Sequence, residues 1–505
     1  MRNPALPQSS APYADALTAH AREPWLRLNV PGHAADPEAF ADLAAFTGED
    51  QLRLDVPPLL DGVDLGADSP RAKALRLAAE AWGARRTWFL TNGASQGNRI
   101  AVMALRSLGE CLVVQRSVHS SVVDGLVLSG LRAAFVQPGV DRTLGIAHGV
   151  TAQDLATALA ENPDAAAACV VTPSYFGAVA DVRALADAAH AAGVPLVVDE
   201  AWGAHFGFHP ELPRNALALG ADLVISSTHK LGGSLTQSAM LHLGDGPFAD
   251  RLEPVLERVF QLTQSTSESA LLLGSLDLTR RRLATGTDAL GRSLRAAELV
   301  REQIRDRGRF AVVGDGFAEF PDIVAADPLR IPVDTRAGGI PGHEARWRLM
   351  TEHQVLVEVA TDSAVVAVVG AGSAPDVARF VAALHALPVT VPPGRGPERP
   401  ELPVPGEMRM TAREAFFAPS RSVPAHEAVG QVSASTLAAY PPGIPNVLPG
   451  EVITAELVAF LQSTAATPGG HVRGASDPEV QNLRTVTPSW SARCSTSCAG
   501  SPRRA

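Results

Sequence analysis

The sequence predicts an α/β protein: a mainly parallel sheet in a three-layer large domain, then a smaller α/β domain, then a C-terminal α+β module. Three observations predict it. Short apolar runs alternate with Ala/Leu-rich helical stretches between about residues 70 and 245; a second alternation occupies 306–390; and a Pro/Gly-rich stretch, LPVTVPPGRGPERPELPVPGE at about 387–407, sets off a third region downstream.

The first set of runs is TWFL at 87–90, CLVVQ at 111–115, AAFVQ at 133–137, ACVVT at 168–172, PLVVDE at 195–200, DLVIS at 222–226 and SAMLHL at 238–243. Uninterrupted apolar strands separated by helices are the mark of a sheet covered on both faces, where chemistry gathers at the strands' carboxyl ends. Residues 250–305 read as consecutive helices leading out of that sheet. In the second domain AVVG, DIVAAD, VLVEV and AVVAVVG are expected as strands and PDVARFVAALHAL as a helix. The predicted layout is an N-terminal arm over 1–27, a large domain over 28–289, a small domain over 290–390, a C-terminal module over 391–488 and a disordered tail over 489–505. There is no internal repeat.

At 505 residues, 46% apolar and 19% charged, the chain has ample material for a core, which excludes disorder as the overall state. A net charge of −10 opposes attraction to phosphate backbones or anionic lipid, so neither nucleic acid nor a membrane surface is expected as a partner. No apolar run approaches the roughly 20 residues needed to span a bilayer, and the first residues lack a signal-peptide pattern. A cytoplasmic location is expected. Cys111 and Cys169 sit in apolar runs and read as buried small hydrophobes; Cys494 and Cys498, without further ligands nearby, make no zinc site, and no metal is expected.

Lysine is the most informative count. Of 43 basic residues only Lys73 and Lys230 are lysine. Arginine replaces lysine in solvation and ion pairing, but not where an amine must lose its proton and form a Schiff base. Lys73 belongs to an amphipathic helix and reads as a solvated residue. Lys230, in ISSTHKLGG, follows strand DLVIS directly, where partial desolvation would lower its pKa. Asp199 ends the preceding strand; its bland reading is a cap or structural ion pair, its functional one a carboxylate that keeps a pyridine nitrogen protonated. TNGASQGNR at 91–99 turns from a strand into a helix, and its Gly93, Ala94 and Ser95 expose backbone N–H groups as a phosphate cradle would. His119, after CLVVQ, can cap a helix or stack on a flat ring. Read as four successive βα junctions of one sheet, this set suits pyridoxal phosphate.

The runs FLTNGASQGN, RSVHSSVVDGLVLSG, TPSYFGAVAD, VDEAWGAHFGFHPELP, GADLVISSTHKLGGSLTQSAMLH and AAYPPGIPNVLPGE resemble the ornithine/lysine/arginine decarboxylase family of fold-type I pyridoxal-phosphate enzymes. With VPGH at 30–33 and REAFFAP at 413–419, the resemblance covers about 26–488. In the absence of a receiver-like domain before the first motif, and in the wording THKLGGSLTQS, the chain looks like the short arginine decarboxylases of Gram-positive bacteria. The resemblance implies that Lys230 holds the cofactor covalently, Asp199 pairs with the pyridinium nitrogen and His119 stacks on the ring. Ala94, Ser95, Ser227 and His229 would lie at the phosphate, and Trp202 and Ser174 near the ring and its hydroxyl edge.

It further implies decarboxylation of a basic L-amino acid at Cα, with arginine favoured over lysine or ornithine. A homodimer or a multiple of it is expected, with VPGH and the C-terminal module, including HVRGASDP at 471–478, near the neighbouring subunit's cofactor. The substrate's distal cation needs carboxylates, for which Asp55, Glu358 and Glu451 are candidates, with His33 beside them. The sequence departs from the family pattern where PGHK reads PGHA at Ala34, where NGTS or NGST reads NGAS at Ala94, and where STSESALLL at 265–273 lacks a proline and a tyrosine. The alternatives are an oxidase or other Cα chemistry on the same site, and a catalytically silent regulatory homologue.

Overall fold

Every one of the seven apolar runs between 87 and 243 becomes a strand of one sheet in the computed structural model, which describes residues 6–394, 403–440, 444–467 and 470–487. The strands are β1 (Arg86–Leu90), β2 (Cys111–Gln115), β3 (Arg132–Val136), β4 (Ala165–Val171), β5 (Leu196–Asp199), β6 (Leu223–Ser226) and β7 (Ala239–Leu243), in the order β1-β7-β6-β5-β4-β2-β3. All pairs from β6 to β3 are parallel, whereas β7 runs antiparallel to both β6 and β1. Two reversals restore direction, so β1 ends on the same edge as β2, β4, β5 and β6. That edge collects the turns that carry the chemistry.

Two apolar layers flank the sheet, one including Leu112, Val114, Val197 and Ile225, the other Val113, Val170, Val198 and Val224. Neighbouring positions of one strand thus point into opposite cores, which is why the runs lack polar alternation.

Helix α1 (Pro12–Arg22) lies within the segment expected as an N-terminal arm, and it is docked rather than free. Tyr13 and Leu17 are buried, and Asp277 Oδ2 accepts from the N–H groups of Tyr13 (2.9 Å) and Ala14 (3.3 Å). Helix α2 (Pro70–Trp82) starts where Ser69 Oγ accepts from Ala72 N–H at 3.1 Å and stops at Gly83 in the left-handed region; Lys73 lies on its partly exposed face. Helix α3 (Gly93–Leu105) follows β1, and α4 (Ser120–Ser129) follows β2.

After the helices α5 (Ala270–Thr285) and α6 (Thr287–Arg307) comes a four-stranded antiparallel sheet. It is built from β8 (Ala311–Val312), β9 (Arg330–Asp334), β10 (Val359–Ala360) and β11 (Ala364–Val368), in the order β8-β9-β11-β10. Two expectations change here. Of DIVAAD only Ala325–Ala326 is a strand, and it pairs with Ala178–Val179 of the large domain instead of joining this sheet. The strand that takes the place is RIPVD, unexpected because Pro332 sits inside it, opposite Val366. The C-terminal module holds β12 (Ser420–Pro424) paired with β16 (Asn482–Val486), and β13 (Leu437–Tyr440) between β14 (Pro445–Val447) and β15 (His471–Arg473). The tail expected from 489 onward, with Cys494 and Cys498, lies outside the described residues.

Candidate active site

Lys230 stands in the turn after β6, its N–H donating to the Ser227 carbonyl at 2.9 Å. Its Nζ lies 3.8 Å from the centroid of the Trp202 ring. Desolvation lowers its pKa to about 8; Asp199 and Glu358 oppose that shift and Arg330 adds to it. An amine so placed is partly unprotonated near neutral pH, the condition for attack on a carbonyl carbon.

Asp199 closes the neighbouring strand β5 and is buried. Its Oδ2 accepts from Asn98 Nδ2 at 2.8 Å and its Oδ1 from Ala201 N–H at 3.1 Å. Asn98 belongs to the second turn of α3, and its Nδ2 also reaches Ser121 Oγ at 3.0 Å. Ser121 Oγ lies 2.8 Å from His119 Nδ1, which accepts from Ser121 N–H at 3.2 Å. Because Nδ1 accepts, the imidazole carries its proton on Nε2. Burial lowers the His119 pKa, with Asp199 pulling the other way, so the ring is neutral at ordinary pH. A chain of side chains thus fixes a flat neutral ring and a carboxylate relative to each other.

On the other side of Lys230, the turn from β1 to α3 rests on the start of β7. Gly93, with φ +71°, donates its N–H to the Gln237 carbonyl at 2.7 Å. The N–H groups of Ala94 and Ser95, in the first turn of α3, meet no acceptor among the described residues and carry the partial positive charge of a helix start. A cleft of about 290 Å³ opens beside them, lined by Thr91, Asn92, Gln96, Gln237, Gln264 and Glu268 among others. Gln264, just before STSESALLL, donates to Thr91 Oγ1 at 3.0 Å and to Glu268 Oε2 at 2.6 Å, so that segment closes over the turn.

The remaining expected residues share this edge. Ser174 Oγ accepts from Phe176 and Ala178 N–H groups, both at 3.2 Å, and so has its hydroxyl proton left to offer. Ser227 is buried beside the lysine turn. His229 Nδ1 donates to the Ser238 carbonyl at 2.8 Å, leaving Nε2 unprotonated, and burial lowers its pKa. The junctions are not successive, however: β3 and β4 intervene between those of His119 and Asp199, and the junction after β4 is the one that carries Ser174.

A family model described as "Orn/Lys/Arg decarboxylase, major domain" matches residues 11–320. The chain belongs to the Orn/Lys/Arg decarboxylase family. The model for that family's C-terminal domain matches residues 403–470. Over 489 residues the decarboxylase is 33% identical to a protein named arginine decarboxylase from Bacillus subtilis, covering 95% of this chain and 98% of the relative. It is likewise 33% identical to one of the same name from Halalkalibacterium halodurans, again over 95% and 98% of the two chains. The likeness to short Gram-positive arginine decarboxylases read from the sequence is thereby shown. Its fold is shared with solved lysine decarboxylases of Francisella novicida (TM-score 0.78, 19% identity, 94% of this chain and 80% of that one) and Escherichia coli (TM-score 0.77, 19% identity, 95% and 82%). As a member of the family, the protein is an amino-acid carboxy-lyase of the pyridoxal-phosphate-dependent kind.

The decarboxylase's donor set fits that cofactor: a depressed-pKa amine for its carbonyl carbon, a buried carboxylate for its ring nitrogen, and two N–H groups at a helix start for its phosphate.

Of the four residues expected at the substrate, only Glu358 faces this site. It is exposed, and its charge acts on Lys230, His229 and Arg330. His33 and Asp55 instead pair with each other, Nε2 to Oδ2 at 3.2 Å, and His33 Nδ1 accepts from Ala35 N–H at 3.0 Å. Within the chain they form an N-terminal pair in which each supplies the partner the other needs. Glu451 is also corrected: both its oxygens accept from Arg116 Nη2 (3.2 and 3.0 Å) and Oε2 from Leu448 N–H (2.8 Å). Buried beside a buried guanidinium, its charge is already spent. The same module sends Arg473 to Ser120 Oγ at 2.9 Å, so HVRGASDP meets the His119 turn of its own chain.

Sequence reasoning missed Asn98, Ser121 and Arg330. The first two had a readable signal, polar residues on otherwise apolar helices within a turn or two of a strand end.

Proposed function

We propose that the protein decarboxylates L-arginine to agmatine and CO₂, in preference to lysine or ornithine. Pyridoxal phosphate, when bound, supplies an electron-withdrawing ring toward which the electrons of the breaking Cα–carboxylate bond are drawn. Lys230 Nζ would hold the cofactor and is placed to move a proton to Cα. Asp199, held in place by Asn98 and Ala201 N–H, would pair with the ring nitrogen and keep a proton there. His119, oriented by Ser121, would stack on the ring, while Trp202 limits water around Lys230. The N–H groups of Ala94 and Ser95, with the Ser227 hydroxyl, would bind the phosphate, with His229 beside it; Ser174 would donate its hydroxyl proton at the ring's oxygen edge.

Glu358 is the single observation that carries the choice of a basic substrate. An exposed carboxylate whose field reaches Lys230 is suited to a cation at the far end of a substrate joined at its α-amine. Arginine is favoured because a guanidinium takes a carboxylate in bidentate fashion, and because the full-length relatives carry that name. The test is purified protein with the cofactor, offered arginine, lysine and ornithine separately, with amine, CO₂ and O₂ followed. A kcat/KM for arginine no better than for the others would overturn the substrate; O₂ uptake with a keto acid in place of the amine would overturn the reaction.

The reading includes a homodimer or a multiple of it, working in the cytoplasm. Its support is apolar surface near the N-terminus: Leu26 is 85%, Leu28 89% and Phe46 88% exposed. A fully active monomer in sedimentation at assay concentration would refute it. The domain limits at 289/290 and 390/391 belong to the same reading, to be checked by limited proteolysis.

A further inference from the structure

Arg330, the first residue of β9, is 1% exposed, yet its Nε, Nη1 and Nη2 all lack a hydrogen-bond partner among the described residues. Burying a guanidinium without acceptors is costly, and a side chain kept there only to fill space would be apolar. Its surroundings belong to the site. The guanidinium carbon lies 4.0 Å from the centroid of the Trp202 ring, the ring that Lys230 Nζ approaches to 3.8 Å. The stem of Arg330 passes over the turn after β4, where a Cβ on Gly177 would fall 3.1 Å from that of Arg330. Asp327 is the nearest opposing charge: its Oδ1 is engaged by His205 Nε2 (3.0 Å) and Leu329 N–H (3.0 Å), its Oδ2 is buried without a hydrogen-bond partner among the described residues, and neither oxygen is hydrogen-bonded to the guanidinium.

We propose that Arg330 is a substrate-binding residue that takes the α-carboxylate of the incoming amino acid. The inference rests on the reading of the Lys230 turn and its surroundings as the amino-acid site. A substrate held through its amine beside Lys230 carries its carboxylate two bonds from that nitrogen, which brings a planar, bidentate anion within the surroundings of Trp202 that both cations share. The fork of Arg330 matches it. The amine product has no carboxylate, so the same residue separates substrate from product: the acid that enters is held and the amine that leaves is not. Glu358 would answer the distal cation and Arg330 the proximal anion, giving the site a polarity along the substrate.

The experiment uses the full-length cofactor-loaded protein and two carbonyl reagents, aminooxyacetate, which has a carboxylate, and O-methylhydroxylamine, which has none. Each is titrated against the cofactor's visible absorbance, so no turnover is needed. The wild-type protein should prefer aminooxyacetate. In Arg330→Gln that preference should fall by about 30-fold or more while the response to O-methylhydroxylamine is unchanged, with Arg330→Lys in between. Absorbance per chain checks that the variants hold the cofactor; if Arg330→Gln does not fold, Arg330→Lys is judged by the same ratio. An equal loss for both reagents would make Arg330 a support for Trp202, and an unchanged ratio would make it a partner of Asp327; either overturns the proposal. A wild-type protein without the absorbance would instead overturn the cofactor reading, and this inference with it.

Discussion

Replacing Lys230 by Met in protein freed of cofactor should stabilise it at neutral pH, because the lysine is held where its charge is disfavoured. Burial brings its pKa from 10.5 to about 8, which corresponds to about 3 kcal/mol at 1.36 kcal/mol per pH unit. Lys230 is partly exposed and its ammonium faces the Trp202 ring, so about 2 kcal/mol is the working figure after screening and the lost cation–π contact. The sign follows from proton linkage. Below pH 8 the folded and unfolded chains both carry the proton and the penalty is constant; between pH 8 and 10.5 the unfolded chain alone keeps it, so wild-type stability rises with pH. The gap between variant and wild type should therefore be flat below pH 8 and close by about pH 10.5. Other titrating groups, Arg330 among them, are common to both proteins and cancel in the difference. Urea unfolding from pH 7 to 10 measures the gap. Because the chain has only two lysines, ¹³C-lysine NMR, with Lys73→Arg for assignment, follows the amine directly. A gap that does not change with pH, or a Lys230 resonance with its midpoint above pH 10, would refute the reasoning.

Asn98→Leu should leave Asp199 Oδ2 without its donor; at about 1–3 kcal/mol for a buried acceptor left unpaired, cofactor affinity should weaken about tenfold or more in an absorbance titration. Arg116→Met should cost about 3–5 kcal/mol by stranding the Glu451 charge, and hydrogen exchange should show the loosening in residues 420–486 first. Arg116→Met with Glu451→Leu should recover most of that loss, since no charge is then left buried. Glu358→Gln should raise KM for the preferred basic amino acid about tenfold or more with unchanged cofactor absorbance; a fall confined to kcat would assign it to proton transfer instead.

The large sheet was legible because a strand buried on both faces writes itself as a short, continuous apolar run, and nothing in 87–243 competes with that signal. The small sheet was less so. DIVAAD and RIPVD are both five or six residues of mixed character, and local pattern favours the one without proline. Tertiary pairing decides otherwise: Ala325–Ala326 finds Ala178–Val179, and RIPVD fills the slot between β8 and β11 despite the N–H that Pro332 lacks. Which edge is available to a short strand is a property of the assembled domain, and no window of sequence contains it.

The site divides along the same line. Lys230 could be found by counting, since it is one of two lysines among 43 basic residues and the one that stands at a strand end, and Asp199, His119 and Gly93 come at or just after strand ends that the pattern had already located. Glu451 was misread for a different reason. Nothing in PPGIPNVLPGE distinguishes a carboxylate awaiting a substrate's cation from one already matched, and the cation that matches Glu451 lies 335 residues earlier in the chain. The converse holds for Arg330, whose importance is an absence of partners that only three dimensions reveal. A charge met at close range by an opposite charge has its field largely consumed, as with Glu451 and Arg116, whereas one buried with its donors unanswered retains it for whatever enters. By that criterion Arg330 is a residue worth testing for substrate recognition, beside the exposed Glu358, which sequence position suggested as it could not suggest Arg330.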